Sequence, residues 1–312
     1  MIKKLYKHLS LGFYKKTGFS LIELSIVILI VGILIAGVTT SSRLLKQFKL
    51  NSARSLTMSS PVPSISQLLM WMETSLESSF DSNISDNDKI LTWKDNNPQS
   101  SYKINFSQSN ATYQPTYIDN GINGLPSLGF NNSNMLSPNF VIGANYSIFI
   151  AFNSSGFTGA ASTILNVTDN VNHGINIELQ ASSGAWLGLN RRIRACHRSP
   201  LGTSSENDNY ANATYAIQDK KDYIFAYTRN VKNNQSFFYI NGNNANDPSF
   251  TGATAPALNG TNLTLMIGNL MPNNFVRPFY GKISEIIIFD KALNPEELTS
   301  VNNYLLKKYN IK

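Results

Sequence analysis

The sequence predicts a mainly β protein in which a long N-terminal helix precedes an antiparallel β-sandwich that ends in a short C-terminal helix. Three observations predict it. An unbroken apolar run occupies residues 19–38, short Ile-, Phe- and Tyr-rich segments separated by Asn, Gly, Ser and Pro follow residue 64, and a capped amphipathic pattern closes the chain.

Between Phe19 and Val38 the only charged side chain is Glu23. Twenty helical residues span about 30 Å, the thickness of a bilayer's hydrocarbon core. The lysines at 3, 4, 7, 15 and 16 precede the run, and residues 1–18 contain no acid. By the positive-inside rule this leader is cytoplasmic and the rest of the chain is exported, leaving a single pass through the membrane. A secretory signal has a shorter apolar region with its small residues after it. Here the small residue, Gly18, comes before the run, so a cut after it removes the charge and leaves the helix attached.

A carboxylate in hydrocarbon costs several kcal/mol unless it is paired or reaches the interface. Glu23 lies only about 6 Å into the run, where it can snorkel. No proline occurs between Phe19 and Met58, and Leu44, Leu45 and Phe48 with Arg43, Lys46 and Lys49 continue the helix until Pro61 forbids it. Gly32 and Gly37 read equally as helix-packing points or as ordinary membrane-helix glycines. The Ser- and Pro-rich stretch 51–64 ends the helix and marks a boundary. The expected organisation is therefore a leader (1–18), a helix (19–58, spanning at 19–38), a linker (59–64) and a sandwich (65–312).

The segments KILTW (89–93), YSIFIAF (146–152), GINIEL (174–179), YIFAYT (223–228), SFFYI (236–240), LTLMIG (263–268) and KISEIIIF (282–289) read as strands. Asn241-Gly242 is the dipeptide that a type I′ hairpin turn favours, because both central residues need positive φ. Asn294 is placed as an N-cap, with Pro295 at the first helical position and Glu297 at the third. Leu298, Val301 and Leu305 share the face that docks on the sandwich.

Charge and chemistry narrow the function. Without the leader lysines the formal charge falls from +7 to +2, so nothing concentrates a basic patch for nucleic acid on the folded part. The chain holds 39 asparagines, a polar surface built of amides. Cys196 cannot form an intramolecular disulfide, and its neighbour His197 points to the other face of a strand. His173, His197 and Cys196 lack metal-ligand spacing. Glu178 and Glu285 each stand alone and read as solvent-facing strand residues, not as the carboxylate pair of glycoside hydrolysis. No enzymatic activity is expected. The oxygen-rich stretches DSNISDND (81–88) and SENDNY (205–210) suit a hard cation such as calcium, but read first as solvated turns, and no cofactor is assigned. Trp186, beside Arg191, Arg192 and Arg194, is the candidate sugar contact.

Gly18-Phe19-Ser20-Leu21-Ile22-Glu23 resembles the class III signal of type IV prepilins and type II secretion pseudopilins. The resemblance implies cleavage after Gly18 by a prepilin peptidase, N-methylation of Phe19, and an assembly role for Glu23, which pairs with the amine of a neighbouring subunit. LLMWMETS (68–75), LTWKDNN (91–97), QPTYIDNGINGLPSLGF (114–130), FFYINGN (237–243) and the stretch 279–309 resemble concanavalin A-like, laminin G-like jelly-roll domains of bacterial surface proteins. Together the two resemblances imply a minor pilin or pseudopilin in the bacterial inner membrane, its sandwich periplasmic, or extracellular once assembled with other pilin subunits. Glycan or another cell-surface ligand is the implied partner of the sandwich, with a membrane-anchored glycan-binding protein outside any filament as the alternative.

Overall fold

The structure, a computed structural model, describes residues 20–81, 84–156, 161–168, 174–180, 192–198, 206–210, 213–247, 260–270 and 277–312. The chain divides into two compact units, Met1–Phe48 and Lys49–Lys312. Helix α1 (Leu21–Met58) begins in the first unit and ends in the second.

The second unit is built on antiparallel strands, in chain order β1 (Leu68–Glu73), β2 (Thr92–Trp93), β3 (Phe106–Ser107), β4 (Thr116–Ile118), β5 (Ser127–Phe130), β6 (Met135–Leu136), β7 (Phe140–Ile142), β8 (Tyr146–Ser154), β9 (Ala161–Thr168), β10 (Gly174–Gln180), β11 (Arg192–Arg198), β12 (Glu206–Tyr210), β13 (Asp222–Asn230), β14 (Gln235–Ile240), β15 (Asn243–Asn244), β16 (Gly260–Ile267) and β17 (Gly281–Phe289). Helix α2 (Pro295–Tyr309) follows them. One sheet runs β15-β14-β13-β8-β17-β5-β4, with β1 paired to residues 285–289 of β17 and β5 to residues 281–283. The facing sheet runs β12-β11-β10-β9-β16-β6-β3-β2, and β7 also pairs with β16.

Side chains alternate across a strand, so each sheet offers two faces. Tyr146, Ile148, Ile150 and Phe152 of β8, with Tyr223, Phe225 and Tyr227 of β13, fill the core between the sheets. The intervening Phe149, Ala151, Ile224 and Ala226 join a second core on the opposite face of the first sheet. That second core is closed by α2, through Leu298, Val301, Tyr304, Leu305 and Tyr309, and by Ala53, Val62 and Ile65. The first sheet is thus buried on both faces, which explains why its strands read as continuous apolar runs without polar alternation.

A bulge in β17, where its pairing with β8 shifts between Ile283 and Glu285, breaks this alternation once. It leaves Ile283 and Ile286 both in the core between the sheets and turns Glu285 toward the helices.

The ends of the unit follow the sequence closely. Asn241 and Gly242 carry φ of 50° and 76° in the turn between β14 and β15. Asn294 and Glu297 form a reciprocal capping box: the Glu297 amide donates to Asn294 Oδ1 at 2.9 Å and the Asn294 amide to Glu297 Oε2 at 3.1 Å. Other expectations are corrected. Of KILTW only Thr92 and Trp93 are in a strand, because that region pairs with the two-residue β3. SENDNY is not a loop, since Glu206–Tyr210 pair with β11 as an edge strand. β9 and β11, rich in Ser, Thr, Asn and Arg, were not foreseen as strands.

The stretch after Phe48 is packed against the sandwich. Ala53 and Thr57 are buried, Arg54 Nε donates to the Ser75 carbonyl at 2.8 Å, and the Tyr304 hydroxyl oxygen lies 3.3 Å from Thr57 Oγ1. Residues 59–64, read from the sequence as a linker, contribute the fully buried Val62, while Gln99 Nε2 donates to the carbonyls of Pro63 and Ile65. A fragment starting at residue 65 is therefore expected to be less stable in urea than one starting at residue 49, by at least about 2 kcal/mol for the apolar surface uncovered. Equal unfolding midpoints for the two fragments contradict this packing.

Candidate functional site

Three places in the described residues carry charged or polar groups in an arrangement that composition alone does not explain.

The first is the start of α1. Gly18 and Phe19 lie outside the described residues. Glu23 stands in the first helical turn, where its Oε2 accepts the Ser20 amide at 2.8 Å, and Ser20 Oγ accepts the Ile22 amide at 3.3 Å. The carboxylate thus sits where free amides and the helix dipole favour an anion. From Leu21 to Val38 every large apolar side chain is exposed, and among the described residues nothing covers the most apolar window. This helix is long and apolar enough to cross a membrane.

The second is the outer face of the second sheet. Ile175, Ile177 and Leu179 of β10 and Ile193 and Ala195 of β11 fill the inner core, so Asn176, Glu178, Arg192 and Arg194 lie on the opposite side. The expectation that Glu178 faces solvent is wrong: its carboxylate is fully buried, 2.7 Å from Arg194 Nη2 and 2.9 Å from Arg277 Nη1, and it accepts the Thr163 hydroxyl at 3.2 Å. Burial raises its pKa, but the two guanidinium groups outweigh burial and hold it below the ordinary carboxylate value. Arg192 is likewise buried and paired with Asp247. Trp186 and Arg191 lie outside the described residues, and the two arginines expected beside Trp186 that are described are both in ion pairs. Asn166 and Asn176 pair across β9 and β10, and the buried Oδ1 of each has no hydrogen-bond partner among the described residues. Asn166 Nδ2 donates to the Leu270 carbonyl at 2.8 Å, which fixes the orientation of that amide.

The third lies under α2, and it overturns the solvent-facing reading of Glu285. Glu73 and Glu285 are direct partners across β1 and β17, and both are fully buried against Lys308. Burial alone lowers the Lys308 pKa, yet the two carboxylates raise it above its ordinary value. The sequence did carry a signal for this residue, because Leu298, Val301, Leu305 and Lys308 form one helical stripe and a lysine in such a stripe is buried.

Among the described residues no group of three or more His, Cys, Asp and Glu side chains could hold a metal ion. In the 81–88 stretch Asp81 pairs with Lys94, Asp88 Oδ2 accepts the Ser85 amide and Asp86 Oδ1 accepts the Asp119 amide. His173 lies outside the described residues.

Residues 132–299, more than half of the chain, match the family model of the concanavalin A-like lectin/glucanases superfamily. The chain belongs to this superfamily. Residues 14–39 match the prokaryotic N-terminal methylation motif. No curated protein matches the chain. Among solved structures, this concanavalin A-like chain is similar to domain 4 of an extracellular arabinanase from Geobacillus stearothermophilus in complex with arabinotriose, at 19% identity and a TM-score of 0.49, over 70% of this chain and 100% of that one. It is also similar to Trypanosoma rangeli sialidase in complex with sialic acid, at 12% identity and a TM-score of 0.49, over 79% of this chain and 34% of the sialidase. A heptameric pentraxin from Limulus polyphemus matches at 11% identity and a TM-score of 0.43, over 56% of this chain and 81% of that one.

The Glu178 pair makes a pH prediction. A carboxylate whose folded pKa lies below its ordinary value of 4.5 stabilises the fold above pH 4.5, and the contribution is lost as pH falls through the folded value. Glu178→Gln is expected to cost about 3 kcal/mol at neutral pH, because it strands buried guanidinium charge, and to flatten the loss of stability below pH 4.5. Urea unfolding followed from pH 3 to pH 7 checks both (about the range over which carboxylates titrate).

Proposed function

We propose that this chain is a pilin-like subunit, a minor pilin or pseudopilin, that a prepilin peptidase cuts after Gly18 and that assembles with other pilin subunits through α1. It begins in the bacterial inner membrane with its sandwich periplasmic, and becomes extracellular when the filament extends. The observation that carries this reading is the order Gly18-Phe19-Ser20-Leu21-Ile22-Glu23 at the head of a helix whose apolar side chains are exposed among the described residues. Lipid covers such a helix before assembly, and neighbouring helices cover it afterwards.

Cleavage after Gly18 creates an amine on Phe19. That amine is a charge partner for Glu23 of an adjacent subunit, and it can replace the Ser20 amide as the donor to the carboxylate. The mature protein is therefore expected to begin at N-methylphenylalanine when its N-terminal peptide is sequenced by mass spectrometry; a retained leader rules the reading out. Glu23→Ala should be processed normally yet be missing from purified filaments, and normal incorporation of that variant removes the role given to Glu23.

The sandwich is proposed to act by contact, as an adhesin or in binding cargo protein. The match of residues 132–299 to the concanavalin A-like lectin/glucanases superfamily supports a glycan as the ligand of the sandwich. Glu178 is neutralised by two arginines, so it suits a fixed platform better than acid–base work. A glycan array probed with the full chain in detergent, with and without added calcium, is expected to give binding above background. No binding above background under either condition contradicts the glycan part while leaving the pilin part standing.

A further inference from the structure

Lys308, Glu73 and Glu285 meet where the first strand, the last strand and the last helix converge, and no role described above uses them. All three side chains are fully buried. Lys308 Nζ lies 2.5 Å from Glu73 Oε2 and 2.8 Å from Glu285 Oε2. Two carboxylates facing one lysine is more than a single ion pair requires, and each is held in its own way.

Glu285 is anchored on both oxygens. Its Oε1 accepts Trp71 Nε1 and the Tyr304 hydroxyl, each at 2.8 Å, and its Oε2 accepts the Tyr309 hydroxyl at 2.9 Å as well as Lys308. The two oxygens of Glu73 differ from each other. Oε1 accepts the backbone amide of Leu76, whereas Oε2 accepts the Ser75 hydroxyl at 2.6 Å and Lys308. One oxygen thus has a fixed amide donor of the kind that stabilises a tetrahedral oxyanion, and the other has the amine and a hydroxyl beside it.

We propose that Lys308 and Glu73 condense into an intramolecular isopeptide bond, with Glu285 as the proton carrier. The ammonium passes one proton to Glu73 Oε2, which makes both groups neutral. Lys308 Nζ then attacks Glu73 Cδ, and the Leu76 amide holds the negative charge that develops on Oε1. A second ammonium proton moves through Glu285 Oε2 to the departing hydroxyl, and the C–Oε2 bond breaks to release water. The third proton stays on the new amide nitrogen and donates to Glu285, which ends ionised as it began. The balance is one carboxylate and one ammonium in, one amide and one water out, with no oxidant or cofactor.

The site favours this reaction in three ways. It holds amine and carboxyl in contact within one chain, which replaces a bimolecular encounter. It removes one positive and one negative charge from a dry interior, where both are costly to keep. It also excludes the water that the reverse hydrolysis requires. The product joins β1 to α2 and closes a loop from residue 73 to residue 308, so a pull on α1 is carried to the C-terminal helix without unravelling the strands between them.

Mass spectrometry of the purified full chain tests this without any variant. The denatured protein is expected to weigh one water less than its sequence with the same N-terminus, and digestion is expected to yield a branched peptide joining the Glu73 segment to the Lys308 segment. Full sequence mass, with Glu73 and Lys308 in separate unmodified peptides, overturns the proposal. Glu285→Gln keeps the size of the side chain but cannot carry the proton, so the folded variant, checked by circular dichroism, is expected to return to full mass. Complete cross-linking in that variant overturns the part assigned to Glu285, and the wild-type mass decides the bond itself even if the variant does not fold.

Discussion

The constraint on which the second unit depends is that its first sheet must be covered on both faces. Strands β8, β13 and β17 are apolar on both sides, so the sheet opposite satisfies only half of them. The other half needs helices. Helix α2 supplies most of that cover, and residues 53–65 complete it. The bulge in β17 belongs to the same arrangement, because it turns a carboxylate out of the core between the sheets and under α2, where Lys308 and three hydroxyl or indole donors meet it. A buried charge without such partners would be strongly destabilising.

The two sheets put their outer faces to different uses. On the first, Glu73, Glu285 and Lys308 meet beneath a helix within a largely apolar layer. On the second, buried polar groups are spread along β9, β10 and β11, where Glu178 pairs with Arg194 and Arg277 and the Leu270 carbonyl accepts the Asn166 amide. The apolar part of α1 is exposed along its whole length among the described residues, and it is long and apolar enough to cross a membrane.

Local signals were legible in the sequence. The long helix, the type I′ turn at Asn241-Gly242 and the capping box at Asn294 depend on neighbours within a few residues, and all appear where propensity places them. The antiparallel sandwich was legible from its apolar strands. Glu178 and Glu285 were misread because strand alternation says that a side chain changes face, not whether the second face meets water or a third layer. β9 and β11 were missed because their outward residues are Ser, Thr, Asn and Arg, which look like loop when their partners across the sheet are unknown. Asn166 and Asn176 gave no local sign, since 39 asparagines hide two.

The central claim is that residues 49–58 form part of the folded sandwich unit. Hydrogen exchange on the full chain in detergent tests it directly. The account predicts that backbone amides of 50–58 are protected to the same degree as those of α2, because both close one core. Exchange of 50–58 at the rate of a solvated helix, while α2 and β17 remain protected, would contradict it.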